Sequence, residues 1–377
     1  MNIHIFNPEH EMALAANVKR FTAPHAGREL RHDLGYLPMV WADEGDYILV
    51  DDPEACMESM RHLRVPLHGR LMNYNDFSRY VRYLSSETPV HINPWGWDLP
   101  LREWLRGHGV NPRWLPTDEE LRLWRVMSHR YWAARKLLKP LREVEGTVGE
   151  AVTVRSYIDL QHWVQRWGDV VLKAPWSSSG RGVRYLHPSR SSLEKELTPS
   201  LKGWLRHTVE QQGAVTVEPY YNKVLDFGLE FYVHEEAVVG YCGLSLFRTV
   251  HGAYTGNVID TEEEKWKVLG RYIDTGLVRR VIDRLLQLMN YELLDHYVGP
   301  LGIDAMVVRP SDGPDNIDSH LLHPCVELNL RNTMGHVALG IQKSLTGQPH
   351  TMHIAYNGKY RLQITKEALD DSEINDA

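Results

Sequence analysis

The 377-residue chain reads as an α/β domain followed by a larger, mostly antiparallel α+β region. Three observations predict this. Before residue 115, short apolar strands alternate with helical stretches, the pattern of a parallel sheet. At Leu115-Pro116-Thr117 a helix begins, with Thr117 and Glu120 spaced as a capping box. From Asp169 onward strands crowd together and helices become few, as in antiparallel sheets. A length of this size holds two or three domains at roughly 100–200 residues each. The expected divisions are 1–115, 116–217 and 218–377.

The elements follow in order. Asn2 to Phe6 alternates as a strand, Tyr47–Val50 is a second ended by Asp51-Asp52-Pro53, and Val90–Ile92 is a third. A helix is predicted around Asp76 to Leu84, which makes the first domain Rossmann-like. No G-x-G-x-x-G follows the first strand, so a dinucleotide fingerprint is missing. Asn7-Pro8-Glu9-His10 takes its place, at the carboxyl end of a parallel sheet, where ligands bind in open α/β folds. Trp95 and Trp97 stand either in that pocket or in the core and domain interface. Past the boundary, Leu121, Trp124, Met127, Tyr131 and Leu138 recur at helical spacing and predict one helix. Strands are then expected at 170–174, 183–186, 215–221, 225–233, 237–247, 301–308 and 324–331, with an amphipathic helix over Thr275 to Met289. The acidic last eight residues, DDSEINDA, are expected to fray.

Composition excludes several classes. With 43% apolar and 24% charged residues the chain is too apolar for disorder, and no uncharged run is long enough to span a bilayer. A net charge of −7 has the wrong sign for a dedicated nucleic-acid binder. Cys56, Cys242 and Cys325 are odd in number and far apart, which fits neither a disulfide framework nor structural zinc. The start, MNIHIFNPEHEMAL, lacks the basic and apolar regions of a signal peptide, so a cytoplasmic protein is expected. Twelve Trp and 18 Tyr stand against 6 Phe, and such rings with polar handles suit pockets.

Chemistry concentrates in Val326-Glu327-Leu328-Asn329-Leu330-Arg331. Strand alternation puts the three apolar residues on one face and Glu327, Asn329 and Arg331 on the other. A carboxylate and an amide are oxygen donors for a hard cation, and a guanidinium is a donor fork for phosphate. In Gly302 to Val308 a single carboxylate, Asp304, interrupts an apolar run, and a buried carboxylate needs a cation or donors beside it. If the two strands pair through the loop between them, Asp304 faces Glu327 and Asn329, which would make a magnesium site. Lys173 ends another strand before the small-residue loop Ser177-Ser178-Ser179-Gly180-Arg181-Gly182, whose N–H groups suit phosphate. There is no P-loop sequence.

The order of Lys173, the 177–182 loop, Glu218, Asp304 and Glu327-x-Asn329 resembles the ATP-grasp superfamily, over about Thr117 to Leu345. The first domain resembles a pre-ATP-grasp domain. The resemblance implies two α+β lobes that sandwich ATP. Lys173 would meet the phosphates, with Ser177, Ser178, Ser179, Gly180 and Gly182 closing over them. A further cation would be Lys136, with Arg130 and Arg135 as alternatives. Glu218, Tyr220 and Tyr221 match the adenine hinge, and Asp226 the ribose carboxylate. Asp304, Glu327 and Asn329 would hold one or two Mg²⁺, with Mn²⁺ as a substitute. Arg331 would stabilise the transferred phosphoryl group. Arg248 either holds a substrate carboxylate or is a surface-loop arginine, and His336 either faces the pocket or caps a helix.

The implied activity is an ATP- and Mg-dependent ligase that makes an acyl-phosphate and joins it to an amine. Its partners would be a small carboxylate and an amine, with no nucleic acid or membrane, in a possible homodimer. A phosphotransferase of the same fold and a non-catalytic nucleotide-binding protein are the alternatives. Departures argue against D-alanine ligase, glutathione synthetase and biotin carboxylase. Ala-Pro follows Lys173, and Gly302 stands where some relatives carry arginine.

Overall fold

A computed structural model describes residues 1–366, apart from 86, 178–181, 237, 251–252, 311–315 and 346–347. The side chains of 250 and 253 are likewise outside the description. The expectations for Ser178, Ser179, Gly180 and the acidic tail lie outside the described residues.

Strands β1 (Asn2–Ile5), β2 (Tyr47–Val50), β3 (Arg70–Asn73) and β4 (His91–Pro94) form a parallel sheet in the order β3-β2-β1-β4. Local chemistry starts its helices. Asp52 accepts from Glu54 and Ala55 N–H with Pro53 at the first helical position, and Asp98 accepts from Leu101 N–H. The helix expected near Asp76 is Tyr74–Tyr83. β3 has no apolar run, so nothing in its sequence signals a strand.

A second sheet has the order β5-β8-β6-β7, from β5 (Val152–Val154), β6 (Val170–Lys173), β7 (Val183–Leu186) and β8 (Val215–Pro219). Its core includes Leu160, Val164, Val170, Leu172 and Val217. The third sheet runs β13-β12-β9-β10-β11-β14-β15. Its strands are β9 (Asn222–Val233), β10 (Val239–Val250), β11 (Ala253–Ile259), β12 (Gly299–Arg309), β13 (Leu321–Asn329), β14 (His350–Tyr356) and β15 (Tyr360–Thr365). The helix Thr275–Leu293 packs on it through Leu277, Val281, Leu285 and Met289. Both sheets pair antiparallel, so the α/β plus α+β class is as the sequence predicts.

Two expectations are corrected. The single helix after Thr117 is broken into Asp118–Met127, Arg130–Ala133, a π turn at Ala134–Leu138 and Lys139–Leu141. His129 causes the break, because its ring accepts from Tyr131 N–H at 3.0 Å and caps a new start. These helices bury Met127, Leu137, Leu138 and Leu141 in the core of the seven-stranded sheet. Second, β13 ends at Asn329, so Arg331 lies beyond the strand. The register against β12 also shifts between Asp304 and Met306. Cys325, Leu328 and Leu330 are in the core, whereas Val326 is only partly buried.

The first domain and the seven-stranded sheet share one hydrophobic cluster. Phe6, Leu37, Val50 and Trp95 pack with Val337, Ala338, Ile341 and Leu362. A Cβ on Gly340 would come within 2.6 Å of Val40, so the approach is backbone-close. Asn332 N–H donates to Trp95 O at 2.9 Å across the same junction. No helix among the described residues is long and apolar enough to cross a membrane.

Candidate active site

The site forms where all three sheets meet. Lys173, the last residue of β6, is buried, and its Nζ donates to Glu218 Oε2 on neighbouring β8 at 2.6 Å. A buried lysine without a partner would be costly, and the Glu218 carboxylate is that partner. The chain then leaves the strand at Ala174, whose N–H donates to Gly182 O at 2.8 Å and closes the base of the loop. A Cβ at Gly182 would collide with the Ser177 side chain, so this turn needs a glycine.

Asp304 and Glu327 are directly opposed on β12 and β13, with Gly302 opposite Asn329. Asn329 Nδ2 donates to Asp304 Oδ2 at 3.3 Å. The structure therefore brings together the three expected metal-binding residues. Burial pushes the Asp304 carboxyl up to about 8, and the nearby Glu327 and Glu230 carboxylates add to the rise. Such a shift marks negative charge without enough compensation, which a divalent cation would supply. Two carboxylates and an amide are the oxygen donors that magnesium takes. Among the described residues no three His, Cys, Asp or Glu side chains have metal-holding geometry. A cation here would therefore use Asn329 and keep water or phosphate oxygens.

Two arginines flank this edge. Arg130 Nη1 lies 2.6 Å from Glu327 Oε2. Its Nε donates to Ala174 O at 3.1 Å, and its Nη2 to Ser177 O at 3.1 Å. One guanidinium thus ties the acidic edge to the chain at Ala174 and Ser177. Lys136, the first choice from sequence, instead pairs with Glu292 at 3.0 Å on the helix Thr275–Leu293. Arg135 is exposed. The break at His129 decides this, because it turns Arg130 inward. Arg331 is anchored by the Glu11 carboxylate, by Asn329 Oδ1 at 2.9 Å and by Asn332 O at 2.8 Å. Burial opposes its charge, but Glu11, Glu327 and Asp304 outweigh burial and hold its pKa above the usual value.

Other expected positions divide. Asp226 is opposite Met306 and bonds Lys223 Nζ at 2.7 Å and Thr249 Oγ1 at 3.3 Å. Arg248 lies inside β10 opposite Gly256, which corrects the loop expected there. Tyr220 is exposed, its N–H donates to Asp169 O at 2.9 Å, and its ring meets His187 edge-on at 4.7 Å. Tyr221 packs edge-on against His323 at 5.4 Å. His336 caps its helix with Thr333, and burial pushes its pKa down to about 4. Cys325 is buried, and burial drives its thiol above the usual range. Trp41, Trp95, Trp97, Trp114 and Trp124 line a cleft of about 1230 Å³ between the first domain and the seven-stranded sheet, which accounts for much of the tryptophan surplus.

Two residues were not predicted. Glu230 in Leu229-Glu230-Phe231 interrupts an apolar strand as Asp304 does, so the same rule finds it. It is buried, and burial pushes its carboxyl up to about 7. A Cβ on Gly302 would lie 2.7 Å from Glu230 Oε2, so Glu230 fills the space beside the glycine. Glu11 carries no such signal, because its role exists only once the first domain docks.

No protein-family model matches the chain, and no curated protein matches it. Solved structures do. An ADP complex of N5-carboxyaminoimidazole synthetase from Staphylococcus aureus is similar at 10% identity and TM-score 0.48, over 94% of this chain and 82% of that one. The N5-carboxyaminoimidazole ribonucleotide synthetase from Thermus thermophilus is similar at 14% identity and TM-score 0.48, over 94% and 83%. A biotin carboxylase complex from Campylobacter jejuni is similar at 12% identity and TM-score 0.49, over 94% and 75%. At these values the likenesses say nothing about which reaction this chain runs.

Proposed function

We infer that the chain is a divergent ATP-grasp enzyme, an ATP-dependent ligase that activates a small carboxylate and joins it to an amine. The observation that carries this reading is one contiguous charged edge: Lys173 and Arg130 at the phosphate loop, Asp304, Glu327 and Asn329 on paired strands, and Arg331 beyond them. These residue types position and neutralise phosphates, and phosphoryl transfer needs little else from a protein.

In this reading Lys173 and Arg130 bind the triphosphate, and the loop from Ser177 to Gly182 excludes water. Tyr220 and Tyr221 border the base and Asp226 the ribose. Asp304, Glu327 and Asn329 would hold Mg²⁺, which when bound neutralises charge on the β and γ phosphates. Arg331, locked by Glu11 and Asn329, offers fixed donors to the oxygens of the acyl-phosphate. Arg248 on β10, next to the Thr249 that bonds Asp226, is assigned to substrate binding.

The test is release of ADP and phosphate when ATP and Mg²⁺ are offered with pools of amino acids, small carboxylates and amines. Asp304→Asn and Glu327→Gln are expected to lose at least about 100-fold in turnover. ADP release equal to that of these variants in every pool sinks the ligase reading. ADP without free phosphate, and without need of an amine, points to a phosphotransferase.

A further inference from the structure

The Asn7-Pro8-Glu9-His10 segment has no part in the reading above, yet it builds a directed imidazole at the site. His10 and Asp98 side chains are 4% and 3% exposed, and His10 Nδ1 lies 3.3 Å from Asp98 Oδ2. Asp98 is itself fixed. Its Oδ1 accepts from Leu101 N–H at 2.9 Å, and its Oδ2 also accepts from Asn7 Nδ2 at 3.1 Å. Asn7 is locked in turn to the backbone of Gly96, at 2.8 and 3.3 Å. A Cβ on Gly96 would come within 2.6 Å of the His10 ring, so the ring lies directly on the Gly96 backbone. An acceptor-only carboxylate at Nδ1 puts the proton there and leaves Nε2 as the basic nitrogen. The ring lines a small cavity of about 10 Å³ with Ser128, Trp176, Glu327, Asn329 and Arg331, room for about one water. Glu9, Glu11, Glu327 and Arg331 are the other charged groups near the ring, and all are paired: Glu9 with Arg31, Glu11 with Arg331 and Glu327 with Arg130.

We propose that His10, oriented by Asp98, is the general base that takes the proton from the incoming amine. The role rests on the ligase reading. Nε2 removes an N–H proton as the amine nitrogen attacks the acyl-phosphate carbonyl carbon. The C–N bond forms, the C–O bond to phosphate breaks, phosphate leaves with its electron pair, and His10 returns its proton to solvent. The segment then explains itself: a carboxylate that fixes a tautomer, an asparagine that fixes the carboxylate, and a glycine that admits the ring.

Hydroxylamine separates the two halves of the reaction, because it is largely unprotonated at neutral pH and traps acyl-phosphates without a base. The wild-type protein, His10→Gln and Asp98→Asn are compared with ATP, Mg²⁺ and the same carboxylate pools, once with hydroxylamine and once with the amine pools. The expected result is hydroxamate formation within about threefold of wild type in both variants, with amide formation down about 10²–10⁴-fold in His10→Gln. Retained hydroxamate formation also shows that the variants are folded. Wild-type amide formation by His10→Gln, or equal loss of hydroxamate and amide, overturns the base role and leaves the ligase reading standing. A wild-type protein that makes neither product overturns the ligase reading and this role with it.

Discussion

At the scale of single residues, the site is an excess of buried and partly buried carboxylates balanced by a few fixed cations. Glu11, Glu230, Asp304 and Glu327 crowd around Arg331 and Arg130. Arg331 is held from three sides by Glu11, Asn329 and Asn332, a geometry that a lysine point charge cannot reproduce. Glu230 gives a pH test. Its carboxyl is raised from 4.5 to about 7 by burial, so the folded state binds a proton that the unfolded state has lost. Its contribution is fully present below pH 4.5 and is lost as pH rises through 7, a change on the order of 3 kcal/mol. Glu230→Gln removes that decline. Thermal melts are expected to show the variant gaining stability relative to wild type between pH 5 and 8. A gap that stays constant with pH contradicts the assignment.

Among the elements, the decisive events are a break and a turn. The break at Ser128-His129 interrupts a helix that the apolar spacing predicts as continuous, and the displaced Arg130 bridges Glu327 to the loop base. Periodicity reports which face is buried, and it is blind to a histidine that caps a restart. The turn at Gly182 sits under the loop, with Ala174 Cβ 3.0 Å from where a Cβ would stand. Gly182→Val forces Ser177 and Ala174 apart and shifts the Arg130 contacts at the loop base. The expected outcome is a KM for ATP raised about tenfold, since about 1.4 kcal/mol of lost binding is tenfold. Steady-state kinetics check this, and an unchanged KM denies the loop base a role in binding ATP.

Across the whole molecule, the first domain is bound to the seven-stranded sheet by a shared core as well as by the site. Leu34, Leu37 and Val50 bury against Val337, Ile341, Met352 and Leu362, and Tyr360 N–H donates to Asp33 Oδ2 at 2.8 Å. A fragment of residues 1–116 loses one side of that core. It is expected to bind a hydrophobic dye and to lack a cooperative thermal transition, whereas the full chain melts cooperatively. A well-dispersed NMR spectrum from the fragment alone argues against a shared core. The same docking delivers Glu11 to Arg331 and His10 to the cavity beside Glu327, so stability and chemistry draw on one interface.

The sequence by itself determined the class of both halves, the Asp304, Glu327 and Asn329 set, and Lys173 before a glycine loop. Each is a local pattern: alternation along a strand, a lone carboxylate in an apolar run, small residues after a lysine. Tertiary structure decided what depends on distance in space. It set Arg130 rather than Lys136 against Glu327, ended β13 before Arg331, placed Arg248 in a strand, and brought Glu11, His10 and Asp98 to the Asp304–Arg331 edge from positions more than 200 residues earlier in the sequence. The physical reason is that an ion pair is fixed by which surfaces dock, and docking is set by the whole apolar core rather than by any window of the chain.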